Sequence, residues 1–185
     1  MALTYTPSAE LGSNCPDFHL PSVDGHHLER RQLIGKPVVV LFLCGHCPYV
    51  QAIEDRVIRL ARDFQARGVN FVAICSNDPS EYPEDDPAAL LERWQKKNYG
   101  FPYLIDAEQT AARAFGAVCT PDIFLYDREQ TLRYRGRLDD SWRNPQGVHR
   151  QELREAIEAV LAGRAVDPQQ NPAMGCSIKW KAAKT

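Results

Sequence analysis

The chain has 185 residues, 44% of them hydrophobic, which is enough to fill one core. Its 22 basic and 24 acidic side chains leave a formal charge of -2, so nothing in the charge favours nucleic acid or an anionic membrane as a partner. No apolar run approaches the roughly 20 residues that cross a bilayer, and Met1-Ala-Leu-Thr-Tyr lacks the basic flank and apolar stretch of a secretory signal. Six cysteines are too dilute for a disulfide framework and suit a reducing compartment, so the expectation is one cytoplasmic domain over residues 1–185.

Residues 1–14 carry no strong periodicity and read as an N-terminal arm. From Cys15 to Leu28, short apolar pieces flank Asp24-Gly25, which predicts a small hairpin within an N-terminal extension of residues 1–34. Val38 to Leu43 is a continuous apolar run, the pattern of a central strand covered on both faces. It ends in Cys44-Gly45-His46-Cys47-Pro48. Behind the cysteines Val50, Ile53, Val57, Leu60, Ala61 and Phe64 repeat at helical spacing, with Glu54, Asp55, Arg59, Arg62 and Asp63 expected on a solvated face and Gly68 as the stop. Val69 to Cys75 is the next strand, completing a strand-helix-strand unit whose strands should be parallel and whose carboxyl-edge loops are functional ground.

Ser76 to Pro87 follows as a polar, proline-rich loop, acidic from Glu81 to Asp86. Asp86-Pro87 is an N-cap and first helical position for a helix carrying Leu90, Leu91 and Trp94. Pro102 to Asp106 predicts a short strand, Glu108 to Phe115 a short helix ended by Gly116, and Asp122 to Asp127 with Thr131 to Leu138 an antiparallel pair. Leu153, Ile157, Val160 and Leu161 make the buried face of a last helix closed by Gly163. The tail, residues 164–185, ends with apolar residues around Cys176 and Trp180 that predict docking on the domain.

Two thiols three positions apart at a helix start can close a disulfide with little backbone movement, and the helix's free N–H groups stabilise a thiolate. The residues alone therefore point to redox chemistry at sulfur. No second cysteine pair has zinc-ligand spacing, so no metal is expected.

The order of elements, with Cys-x-x-Cys at the first helix start, resembles the thioredoxin fold: an α/β mixed central sheet flanked by helices, here with an N-terminal hairpin and a C-terminal tail. Cys15-Pro-Asp-Phe-His-Leu, Asp24-Gly25 and Gly35-Lys36-Pro37-Val38 resemble the entry of peroxiredoxins of the alkyl hydroperoxide reductase and thiol-specific antioxidant type. His46-Cys47-Pro48-Tyr49-Val50, Asn77-Asp78, Tyr82-Pro83-Glu84-Asp85, Cys119-Thr120-Pro121-Asp122 and Gly175-Cys176-Ser-Ile-Lys-Trp180-Lys resemble a peroxiredoxin-like branch of that superfamily.

The resemblance implies that Cys44 attacks, Cys47 resolves, and a protonated His46 stabilises the thiolate. It implies a cis bond before Pro121, with the Thr120 backbone ready to pair with an extended substrate. Cys119, Cys176 and Arg137 are accessory candidates. The implied activity is thiol-disulfide exchange on protein or small-molecule disulfides, with an unidentified thiol reductant and no bound cofactor.

Two other readings stay open. One is a thiol peroxidase using Cys47, for which Cys44 stands where peroxiredoxins have threonine and Val40 where they have proline. The other is a non-catalytic redox-sensing or binding module. Val38 and Leu43 stand where thioredoxins have an acid and a tryptophan, so Glu54, Asp55 or His46 would have to serve as base.

Overall fold

The computed structural model describes residues 3–182, so the outermost residues of the predicted arm and tail lie outside it. Strand Val38–Phe42 sits in the middle of a five-stranded sheet because every one of its side chains is apolar and buried. The pleat sends them to two different cores. Val39 and Leu41 pack with Val57, Phe64 and Phe71 on one face, while Val38, Val40 and Phe42 pack with Leu20, Phe115 and Phe124 on the other.

Numbered along the chain, the strands are β1 Leu3–Tyr5, β2 His19–Pro21, β3 His27–Glu29, β4 Val38–Phe42, β5 Asn70–Cys75, β6 Tyr103–Ile105, β7 Cys119–Thr120, β8 Asp122–Tyr126, β9 Leu132–Gly136 and β10 Met174–Ser177. The helices are α1 Pro48–Gln65, α2 Pro87–Lys97, α3 Thr110–Phe115 and α4 Glu152–Leu161. The large sheet runs β6-β5-β4-β8-β9, with β4, β5 and β6 parallel and β8 and β9 antiparallel. Burial of Ile53, Val57 and Phe64 of α1, Leu90 of α2 and Leu153 and Ile157 of α4 fills one face, and the β2-β3 hairpin with α3 covers the other.

The local signals act as their chemistry dictates. Gly25 in the hairpin turn has φ +86°, Asp86 accepts a hydrogen bond from the Ala88 amide at 2.9 Å to cap α2, and Gly116 takes φ +63° after α3. Two expectations change. The N-terminal arm contains β1, which pairs antiparallel with β10, and β10 pairs with β7 to give a second, three-stranded sheet. Such a strand takes its partner from the far end of the chain, so no local turn signal marks it.

The second change is at Glu54, which is 1% exposed rather than solvated. Its carboxylate accepts two bonds from Arg93, at 2.6 and 2.8 Å, and one from the Tyr99 hydroxyl at 2.5 Å, tying α1 to α2. Among the described residues no helix is long and apolar enough to cross a membrane.

A candidate dithiol site at the head of the first long helix

β4 ends at the carboxyl edge of the parallel strands, and the chain turns through Cys44-Gly45-His46 into α1, with Cys47 as N-cap and Pro48 at the first helical position. The two thiols meet the Thr120-Pro121 loop, whose peptide bond is cis. Cys44 Sγ lies 3.0 Å from the Thr120 hydroxyl, and Cys47 Sγ lies 3.1 Å from the Thr120 carbonyl oxygen. Cys47 has a second neighbour: the Sγ of Cys176, on β10, is also 3.1 Å away. Both motif cysteines are buried, at 1% and 0% exposure.

Cys44 and Cys47 interact directly and titrate in opposite directions. Burial, then the neighbouring Cys47, raises Cys44 well above its ordinary value. The Cys44 thiol, donating to its partner, lowers Cys47 to about 5 against the effect of burial, with help from the Cys176 thiol and the first-turn amide of Val50. The Thr120 carbonyl oxygen, 3.1 Å from Cys47 Sγ, favours the protonated thiol and works against that lowering. Burial, then the Cys47 charge, pushes Cys176 up to about 12.

The loop between the cysteines is held by a residue the sequence offered only as part of an acidic stretch. Asp85 is buried beneath Gly45 and His46, and its Oδ1 accepts from their amides at 2.7 and 3.1 Å. Its Oδ2 lies 2.7 Å from His46 Nδ1 and accepts from Asn77 Nδ2 at 2.7 Å. An ionised carboxylate only accepts, so Nδ1 carries the hydrogen. The imidazole stacks on Tyr82 with centroids 3.9 Å apart, and among the described residues its Nε2 has no hydrogen-bond partner.

The same loop presses its backbone onto the motif, and a Cβ at position 45 would overlap the Glu84 carbonyl. Gln51, one turn into α1, donates to the Gly45 carbonyl at 2.8 Å. The acidic loop is thus a clamp on the motif. Nothing local distinguishes Asp85 from the neighbouring Asp86, which caps α2; only the Tyr-Pro-Glu-Asp resemblance singled out its segment.

Ligand atoms of Cys44, His46 and Asp85 lie within 4.8 Å of one another, a grouping that cysteine spacing alone did not suggest. Both Asp85 oxygens are already occupied by donors, so a cation there would have to displace the clamp.

The remaining candidates divide. Thr120 and Pro121 are at the thiols, but the Thr120 backbone edge is already paired: Cys176 stands opposite Thr120 and Ser177 opposite Cys119 in antiparallel register. Cys119 is buried beside the Pro121 carbonyl, and burial raises it to about 12. Arg137 is drawn away to Glu152, which it reaches at 2.6 and 2.8 Å, and contributes only to the wall of a cavity of about 250 Å³. Tyr49, Ile53, Pro121, Trp142 and Met174 give that cavity its apolar lining.

A mixed sheet that delivers two thiols to the head of its first long helix, against a cis-proline loop, defines a thioredoxin-like protein. The chain belongs to the AhpC/TSA family, which residues 11–135 match. Over 117 residues it is 26% identical to the thiol-disulfide oxidoreductase ResA of Halalkalibacterium halodurans, covering 63% of this chain and 62% of that one. The chain therefore spans less than two thirds of that relative.

An uncharacterized conserved protein from Geobacillus kaustophilus has a crystal structure that superposes with a TM-score of 0.94 at 40% identity, covering 100% of this chain and 99% of the other. A secreted Mycobacterium tuberculosis disulfide oxidoreductase homologous to E. coli DsbE shares the fold, with a TM-score of 0.58 at 20% identity over 79% and 95% of the two chains.

Proposed function

We propose that this protein is a thiol-disulfide oxidoreductase that cycles Cys44 and Cys47 between dithiol and disulfide, with Cys47 attacking and Cys44 resolving. The observation that carries this reading is the place of Cys47 at the N-cap of α1, beside the Cys44 and Cys176 thiols, an environment that lowers Cys47 to about 5 while Cys44 is raised. Only a thiolate attacks a disulfide, so the thiol ionised at neutral pH opens the substrate. This order reverses the one that the thioredoxin resemblance implies.

The Cys47 thiolate bonds to one substrate sulfur and expels the other as a thiolate, which takes up a proton. Cys44 then gives up its proton and attacks Cys47, expelling the second substrate thiol. Two electrons leave the protein and one disulfide forms within it. The Thr120 hydroxyl, 3.0 Å from Cys44 Sγ, is placed to relay the Cys44 proton. The apolar cavity beside Pro121 suits the apolar flank of a disulfide substrate. In a cytoplasmic setting a thiol reductant would return the pair to the dithiol.

The test is the rate of reduction of a small disulfide with excess dithiol as donor. Cys47→Ser should lower it by roughly two orders of magnitude or more. The single-turnover rate of the wild type should rise with an ionisation at about 5 instead of the ordinary 9.0. A Cys47→Ser protein that keeps the wild-type rate overturns the reading, as does peroxide consumption that outruns disulfide reduction.

A further inference from the structure

Neither motif thiol offers a surface to a large partner. Cys44 and Cys47 are buried, and the Thr120 backbone edge, where an extended polypeptide would pair, is filled by β10. What lies open beside Pro121 is the apolar cavity walled by Tyr49 and Trp142, whose rings are 4.4 Å apart.

A second cavity, like the first about 250 Å³, adjoins it and shares the wall of Leu138 and Asp139. Each is small for a ligand site, and the two together reach the roughly 300–1,000 Å³ that small molecules occupy. Their chemistry differs. The second is ringed by Arg56, Arg59 and Arg154, with Asp139 as its only acidic lining among the described residues.

The three guanidinium groups are not equally engaged. Arg56 pairs with Asp139 and donates to the carbonyls of Ser141 and Trp142 at 3.0 and 2.7 Å, which fixes the loop that carries Trp142. Its Nε is buried and, among the described residues, has no acceptor. Arg154 reaches Asp63 at 2.5 Å. Arg59 is exposed and makes no hydrogen bond or ion pair among the described residues, while Asp55, one turn before it on α1, is held by Lys97 at 2.8 Å. One cation at the second cavity therefore lacks a hydrogen-bonded counter-ion.

Arg59 follows Cys47 along α1 by about 18 Å of helix axis, at about 1.5 Å per residue. Helical side chains lean back towards the N-terminus, which brings the guanidinium to on the order of 10–15 Å from the thiol, the length of three or four extended residues at about 3.3–3.6 Å each.

We propose that the substrate of the Cys44–Cys47 pair is a low-molecular-weight peptide disulfide, one arm of which crosses the apolar cavity and sets a carboxylate against Arg59. The proposal rests on the thiol-disulfide reading and names its substrate class. The exchange is unchanged: the substrate S–S bond breaks, the Cys44–Cys47 bond forms, and two thiols leave, one with the Cys44 proton and one with a proton from solvent. The substrate gains two electrons and the protein loses two.

The test mixes reduced wild type at neutral pH with an excess of one disulfide at a time, quenches with acid, alkylates, and follows Cys44–Cys47 oxidation by mass spectrometry. The probes are glutathione disulfide, which is anionic with tripeptide arms, bis(2-hydroxyethyl) disulfide, which is neutral, cystamine, which is cationic, and insulin, a protein. Each rate is divided by that of the same disulfide with free 2-mercaptoethanol, which removes differences in leaving thiol. The normalised rate should be about tenfold or more higher for glutathione disulfide than for bis(2-hydroxyethyl) disulfide, with cystamine below both and insulin below glutathione disulfide. Arg59→Glu should lower the ratio of the first two about tenfold or more, Arg59→Gln should move it the same way, and added salt should lower it in the wild type.

A wild-type ratio near one, a ratio that Arg59→Glu leaves unchanged, or insulin reacting as fast as glutathione disulfide overturns the proposal while leaving the exchange chemistry in place. If none of the disulfides oxidises the pair, the thiol-disulfide reading falls, and calorimetry with S-methylglutathione, which cannot exchange, decides the anion site separately. Binding to the wild type that Arg59→Glu abolishes supports the site; no binding, or binding that the variant keeps, overturns it.

Discussion

At Asp85 one carboxylate holds two backbone amides, an imidazole and a carboxamide, all in a buried place. Each is a bond to a charged acceptor, of the kind that contributes about 1.5–3 kcal/mol, and removing the acceptor leaves the donors buried without partners. Asp85→Ala should therefore lower the unfolding free energy by about 3 kcal/mol or more, measured by denaturant titration. It should also free the His46 ring from its stacked position on Tyr82, which the imidazole proton resonances would report. Retention of wild-type stability would show that the motif holds its shape without the clamp. His46 itself, read from the sequence as a tuner of the thiolate, is in the structure a group oriented by Asp85 and Tyr82.

Among the elements, β10 has the most consequence for its length. Four residues, Met174–Ser177, join β1 to β7 and cover the backbone edge of Thr120. Gly175→Ala puts a methyl group onto the Thr120 carbonyl carbon and oxygen, backbone atoms that cannot yield without moving the cis-proline loop. The strand should detach, seen as faster proteolysis after Lys179 and loss of amide protection at Cys176. A Gly175→Ala protein with an unchanged tail would show that the close pairing is dispensable.

The tail was expected to dock because its apolar residues need cover. Its docking against both the N-terminal arm and the Thr120-Pro121 loop could not be read from periodicity, since a four-residue strand has too few positions to show one. The same shortness hid β1, whereas β4 and α1 were legible from their long apolar patterns.

For the whole molecule the charge on Cys47 links the redox state to stability. Its value in the folded chain, about 5, lies below the ordinary 9.0. Between these values the unfolded chain binds a proton that the native chain has shed, so this thiol's contribution to stability is complete above about pH 9 and lost as pH falls through 5. Cys44 acts in the opposite sense. It keeps its proton in the folded chain, so its contribution is present below its ordinary value and lost as pH rises towards its raised one. The melting temperature of the reduced wild type minus that of reduced Cys47→Ser should grow as pH rises from 5 to 8, followed by calorimetry under a non-thiol reductant. A flat difference would mean that Cys47 is protonated in the native state.

What the sequence determined by itself was set by patterns that act locally. Continuous burial of Val38 to Leu43 made a central strand, helical spacing behind Cys47 made α1, and capping and turn residues placed α2, α3 and the hairpin. Two cysteines between that strand and that helix then defined a dithiol at a helix head.

The tertiary structure decided the rest, because the deciding contacts join residues 15 to 129 positions apart. Asp85 became the clamp on the motif, Glu54 a buried tie to Arg93 and Tyr99 instead of a solvated acid, and Arg137 a partner of Glu152. Cys47 is lowered by its neighbour Cys44 first, and then by Cys176, which only the tertiary structure brings from the tail to 3.1 Å, while burial raises Cys44.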